Sequence, residues 1–88
     1  MDITNRMKLV KSLQIIGVRP GAYSVTSYED MALCIDKTEN GWEVFYFERG
    51  GKTFSKIFPS EQDACMYTYS ELIRDKTSFI TSLGQPHI

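Results

Sequence analysis

Eighty-eight residues, 42% apolar and 24% charged, are enough for one folded domain; they argue against an intrinsically disordered chain and leave little interior for an enclosed cofactor. Ten Lys and Arg against eleven Asp and Glu give a formal charge of −1, without the electrostatic footprint of a non-specific nucleic-acid binder. No apolar run approaches the ~20 residues that span a bilayer, and the opening MDITNRMKLVKSLQIIG is too polar for a signal peptide, so a cytoplasmic protein is expected.

The spacing predicts an amphipathic helix over about residues 4–16. Thr4 or Asn5 is its N-cap, Leu9, Val10, Leu13 and Ile16 recur on one face, and Arg6, Lys8, Lys11 and Gln14 face water. Gly17 is placed to end it in a left-handed cap. Residues 18–30 read as a loop with a Pro20-Gly21 turn. Tyr23, Val25 and Tyr28 are too apolar for a mobile tether, so this loop should lie against the rest of the fold.

Three strands are expected next, over about residues 31–36, 42–49 and 52–58. In the first, Met31, Leu33 and Ile35 alternate with Ala32, Cys34 and Asp36; Asn40-Gly41 then marks a hairpin. In the second, Trp42, Val44 and Tyr46 point one way and Phe45 and Phe47 the other, the pattern of a central strand. Gly50-Gly51 makes a second turn, after which Phe54, Lys56 and Phe58 alternate with Thr53, Ser55 and Ile57. A last helix is predicted over about residues 60–82, opened by Ser60 and Asp63 in the manner of a capping box, with Glu61 and Asp63 complementing the helix dipole. Its stripe is Cys65, Tyr69, Leu72 and Ile73, continued by Phe79, Ile80 and Leu83, and residues 84–88 form a loose tail. The result is one domain over residues 1–88, an α+β fold of order α-β-β-β-α: a three-stranded antiparallel sheet with helices mainly on one face.

The chemistry-bearing residues assemble no catalytic set. Cys34, Cys65 and His87 lack the paired spacing of a zinc site, so no metal and no other cofactor is expected. A nucleophile needs an adjacent base, whereas His87 lies in the tail and both cysteines fall on core faces, where burial makes a thiol inert. The count of two cysteines permits a disulfide, but two buried thiols suit a reducing cytosol better. Glu29-Asp30 and Glu61/Asp63 read as solvation and capping, and Gly50-Gly51 joins strands instead of cradling a phosphate. No enzyme is expected.

Two binding readings remain. Phe45, Phe47, Arg49 and Lys52 could stack and neutralise a single-stranded nucleic acid, but Glu39, Glu43 and Glu48 share the hairpin and would repel phosphate. Alternatively, Asp36, Glu39, Glu43 and Glu48 beside Trp42 and Tyr46 have the composition of an interface for a basic protein, the aromatics anchoring and the acids steering. The plainer reading of the same residues is that the aromatics are core and the acids solvate a turn.

Three stretches carry a likeness: Gly17-Val-Arg-Pro-Gly-Ala-Tyr-Ser24, Gly41-Trp42-Glu-Val-Phe-Tyr-Phe-Glu-Arg-Gly50 and Phe58-Pro-Ser-Glu61-Gln-Asp-Ala64-Cys65. Together they resemble small immunity proteins encoded beside bacterial polymorphic toxins, including contact-dependent growth inhibition systems, over roughly residues 13–75. The resemblance implies a cytoplasmic antidote, a monomer binding the toxin's C-terminal domain one-to-one without catalysis and without membrane or direct nucleic-acid contact. Most such toxins are nucleases, many attacking tRNA; others degrade NAD. A nuclease surface is basic, so the expected contacts are Asp36, Glu39, Glu43 and Glu48, with Trp42 or Tyr46 as anchors. That placement rests on the acidic hairpin, since the family's contact residues vary. In this likeness Trp42, Tyr46, Phe58, Ala64 and Cys65 build the core. Rival readings are the single-strand module and a small adaptor subunit.

Overall fold

The computed structural model describes residues 3–74 and has an α+β architecture. Helix α1 spans Arg6–Ile15; a single 3-10 turn, Pro20–Ala22, leads into a two-residue strand β1, Tyr23–Ser24. Strands β2 (Ala32–Thr38), β3 (Gly41–Glu48) and β4 (Gly51–Phe58) come next, then helix α2, Glu61–Arg74. The predicted continuation of α2 to residue 82, with Phe79, Ile80 and Leu83, and the tail with His87 lie outside the described residues.

Local chemistry explains the helix ends. The Asn5 side chain accepts the Lys8 amide (2.9 Å) as N-cap of α1. Gly17, at φ +87, closes the other end: its amide bonds Gln14 O and the Val18 amide bonds Leu13 O, the paired bonds of a Schellman cap. Ser60 Oγ accepts the Asp63 amide (3.1 Å) at the start of α2. Arg6 departs from expectation, being half-buried instead of facing water. Glu61 Oε2 accepts both its backbone amide (2.9 Å) and its Nε (3.2 Å), so one carboxylate satisfies a first-turn amide of α1 and ties the two helix starts together.

The expected three-stranded antiparallel sheet is corrected to a four-stranded mixed sheet of order β1-β2-β3-β4. The added strand comes from the supposed loop: Tyr23 and Ser24 run parallel to β2, opposite Leu33 and Cys34. Two residues display no alternation, so only the pairing reveals them as strand. The β2–β3 hairpin closes at Gly41, whose φ of +133 and approach to Phe58 exclude a side chain; an added Cβ would lie 2.6 Å from Phe58 O. The β3–β4 turn is centred on Arg49 and Gly50, both at positive φ, and the Arg49 amide is held by Asp30 Oδ1 at 2.8 Å.

Both helices pack on one face of the sheet. Leu9 and Leu13 of α1 and Ala64, Cys65 and Leu72 of α2 enclose Val18, Tyr23, Ile35 and Val44. Thr68 is fully buried beside them because its hydroxyl donates to Ala64 O (2.9 Å), which lets it pack as an apolar group. Ile73, assigned to this stripe from its spacing, is 42% exposed. On the outer face Ala32, Cys34 and Phe45 form a second, smaller core with Phe47 packed against it. Tyr28 roofs it, its ring centroid 5.0 Å from Phe45 and 5.3 Å from Phe47. The 18–30 segment thus serves both faces, with Val18, Ala22 and Tyr23 in the helix-side core and Tyr28 over the outer one. Cys34 and Cys65 are both buried and unpaired, each in a different core with the sheet between them.

Candidate functional site

The six residues proposed from the sequence are divided by the period-two geometry of β3. Glu43 and Asp36 face outward, opposite one another in the β2–β3 ladder. Glu43 is 8% exposed; Lys52 Nζ lies 2.8 Å from its Oε1 and the Ser55 hydroxyl donates to Oε2. Burial opposes its charge, yet the hydrogen bonds from Lys52 and Ser55 outweigh it and hold the carboxyl below the usual carboxylate range. Asp36 accepts the Tyr28 hydroxyl (2.6 Å), and that bond raises the phenol above its ordinary value. Lys52 sits 4.6 Å from the Phe45 ring centre and 5.4 Å from that of Tyr28. These five polar groups are chiefly fastenings of the roof over the outer core.

Trp42 and Tyr46 occupy the opposite, helix-side face. Trp42 is half-buried against the main core, with the Arg6 guanidinium 4.9 Å and the Lys37 ammonium 5.8 Å from its ring. Glu39 is exposed at the β2–β3 turn, whereas Glu48 is half-buried at the far end of β3, opposite Gly51. An eight-residue strand separates the two by roughly 25 Å. The six therefore do not meet in one patch; Tyr46 alone opens into a groove.

That groove lies beside β4, and the sequence pattern does not disclose it. Its volume is about 650 Å³, and Met31, Leu33, Tyr46, Phe54, Tyr67 and Leu72 supply its apolar lining, with Lys56 and Glu71 also on its walls. A hollow of this size is within the range of binding sites. Strand β4 is the sheet edge, and every residue from Gly51 to Ile57 is exposed. Phe54 is 82% exposed and holds a left-handed backbone, φ +54, which is costly for a bulky side chain. The cause is a β-bulge. Val44 pairs with Lys56 but Tyr46 pairs with Thr53, leaving Phe54 and Ser55 opposite the single residue Phe45. The bulge also shifts the strand's alternation, so Lys52 and Ser55, three positions apart, both reach Glu43. Lysines at 52 and 56 in a strand otherwise carrying Phe54, Ile57 and Phe58 were the available sequence signal of an edge.

Among the described residues no three His, Cys, Asp or Glu side chains gather as metal ligands, and no helix is long and apolar enough to cross a membrane. Burial raises the Cys34 thiol and pushes Cys65 up to about 11, which suits packing instead of nucleophilic chemistry. Comparison with family models, curated proteins and solved structures finds no match.

Proposed function

We propose that this chain is a cytoplasmic immunity protein that binds a toxin domain one-to-one and neutralises it without catalysis. The observation that carries a binding role is Phe54: a large aromatic side chain, 82% exposed on an edge strand, in a backbone conformation that costs energy, beside an apolar groove. Strain of this kind persists where the surrounding structure imposes it, and it clusters at functional sites. Exposed aromatics are the anchors that interfaces bury. The toxin class comes from the resemblance of the three stretches to immunity proteins, most of whose toxins are nucleases, so a nuclease such as a tRNase is proposed, with an NAD-degrading toxin as the alternative. Exposed Glu39 can steer a basic toxin surface.

The test is co-expression with the protein encoded immediately upstream. A stable complex that restores growth supports immunity, and RNA or DNA cleavage versus NAD loss by the released toxin identifies its reaction. A non-toxic neighbour that forms no complex overturns the reading. The single-strand nucleic-acid alternative has a narrower basis, because Phe45 is fully buried beneath Tyr28. Salt-dependent oligonucleotide binding lost in Phe47→Ala would revive it.

A further inference from the structure

Charge is distributed unevenly across the two sides of β4. On the outer side Lys52 is neutralised by Glu43 at 2.8 Å. On the groove side, among the described residues, two cations, Arg19 and Lys56, and one carboxylate, Glu71, line the walls, and the charge of Glu71 is met by Arg74. Lys56 lines the same groove, is exposed, and forms no ion pair with another described residue. Burial raises the Tyr67 phenol, so its hydroxyl stays a neutral donor at this wall. The groove is therefore an apolar trough that carries two cations, with Lys56 uncompensated on its rim beside Arg19.

We infer that this groove seats a segment of the partner protein bearing an aromatic or aliphatic side chain next to a carboxylate, an inference that rests on the protein-recognition reading above. The apolar side chain would take the place of water over Leu33 and Leu72 while covering the exposed Phe54 and Met31, and the carboxylate would meet Lys56. A basic segment would face an unbalanced like charge, which costs affinity. A second copy of this chain fits poorly: antiparallel two-fold pairing of β4 centred on Phe54 sets Lys52 against Lys56 of the copy, and the bulge interrupts the regular edge. Glu39, at the opposite end of β3, then meets a basic part of the partner, and two contacts of opposite sign fix its orientation.

The test selects a phage-displayed library of random dodecapeptides on the immobilised full-length protein, then measures the enriched peptides against variants. Enriched sequences should pair an apolar residue with Asp or Glu, bind K56E about ten-fold more weakly and bind K56R nearly as well. Phe54→Ala should weaken them likewise, with circular dichroism showing each variant folded. Enrichment without acidic bias, no enrichment, or equal binding to K56E overturns the inference. So does a concentration-dependent dimer in sedimentation that Phe54→Ala abolishes, which assigns the face to a second copy. If an upstream toxin binds K56E and the parent equally, the groove inference fails while immunity stands. Peptides behaving as expected beside a non-toxic neighbour uphold the groove and discard immunity.

Discussion

Phe45 and Phe54 sit in one hairpin, in adjoining strands, and the structure assigns them opposite consequences when they are removed. Phe45 is fully buried among Ala32, Cys34, Phe47 and Tyr28, so truncation to Ala removes a ring from a closed space. That costs about 3–5 kcal/mol. A domain of 88 residues has roughly 4–13 kcal/mol in total, so Phe45→Ala should remove about a quarter of its stability or more. Phe54 is 82% exposed, so only about a fifth of a ring of roughly 200 Å² is covered, worth about 1 kcal/mol at 25 cal/mol per Å². Against that loss, Asn tolerates the left-handed backbone at φ +54 and relieves about 1–2 kcal/mol of strain. Phe54→Asn should therefore lie within about 1 kcal/mol of neutral, a shift in Tm below about 8 °C for a domain of this size. Urea unfolding followed by the fluorescence of Trp42, the sole tryptophan, measures both variants. Partner affinity should show the reverse order of sensitivity, falling about ten-fold or more in Phe54→Asn. A loss of stability above about 2 kcal/mol in Phe54→Asn would refute the assignment, because it would show that the ring supports the fold.

Other consequences are equally open to measurement. Glu43 has a lowered carboxyl pKa, so its contribution is present above the unfolded carboxylate value and is lost as pH falls through the folded one. The urea midpoint of Glu43→Gln should accordingly change less between pH 6 and pH 3 than that of the parent, about one carboxylate's worth of slope; equal slopes would count against the Lys52–Glu43–Ser55 cluster. Both thiols should resist a disulfide-exchange reagent at neutral pH in the native protein and react in urea, since each is buried and Cys65 is pushed up to about 11. Rapid native labelling, or an intramolecular disulfide in the folded chain, would contradict their placement in separate cores. Gly41→Ala should cost about 2–4 kcal/mol, since it adds left-handed strain to a 2.6 Å approach to Phe58 O; a neutral result in thermal unfolding would show that this hairpin closes differently.

Most of the secondary structure was legible because short-range chemistry dictates it. The Asn5 and Ser60 side chains cap the helices that begin beside them, Gly17 alone tolerates its backbone angle cheaply, and glycines mark both hairpins. The central place of β3 came from apolar residues on both its faces, one row meeting the helices and the other meeting Tyr28. Strand β1 was not legible, because two residues carry no period and become a strand only when β2 lies beside them. The candidate surface was also hidden. Phe54 reads as one more alternating apolar residue, and only the bulge, created by the register of β4 against β3, turns it outward. Equally, Asp36 and Glu43 read as solvated acids until the fold brings Tyr28, Lys52 and Ser55 to them. Capping, turn and periodicity signals act within a few residues and so are written in the sequence by itself. Which charges are spent inside the molecule and which remain for a partner depends on groups distant along the chain, and only tertiary packing decides it.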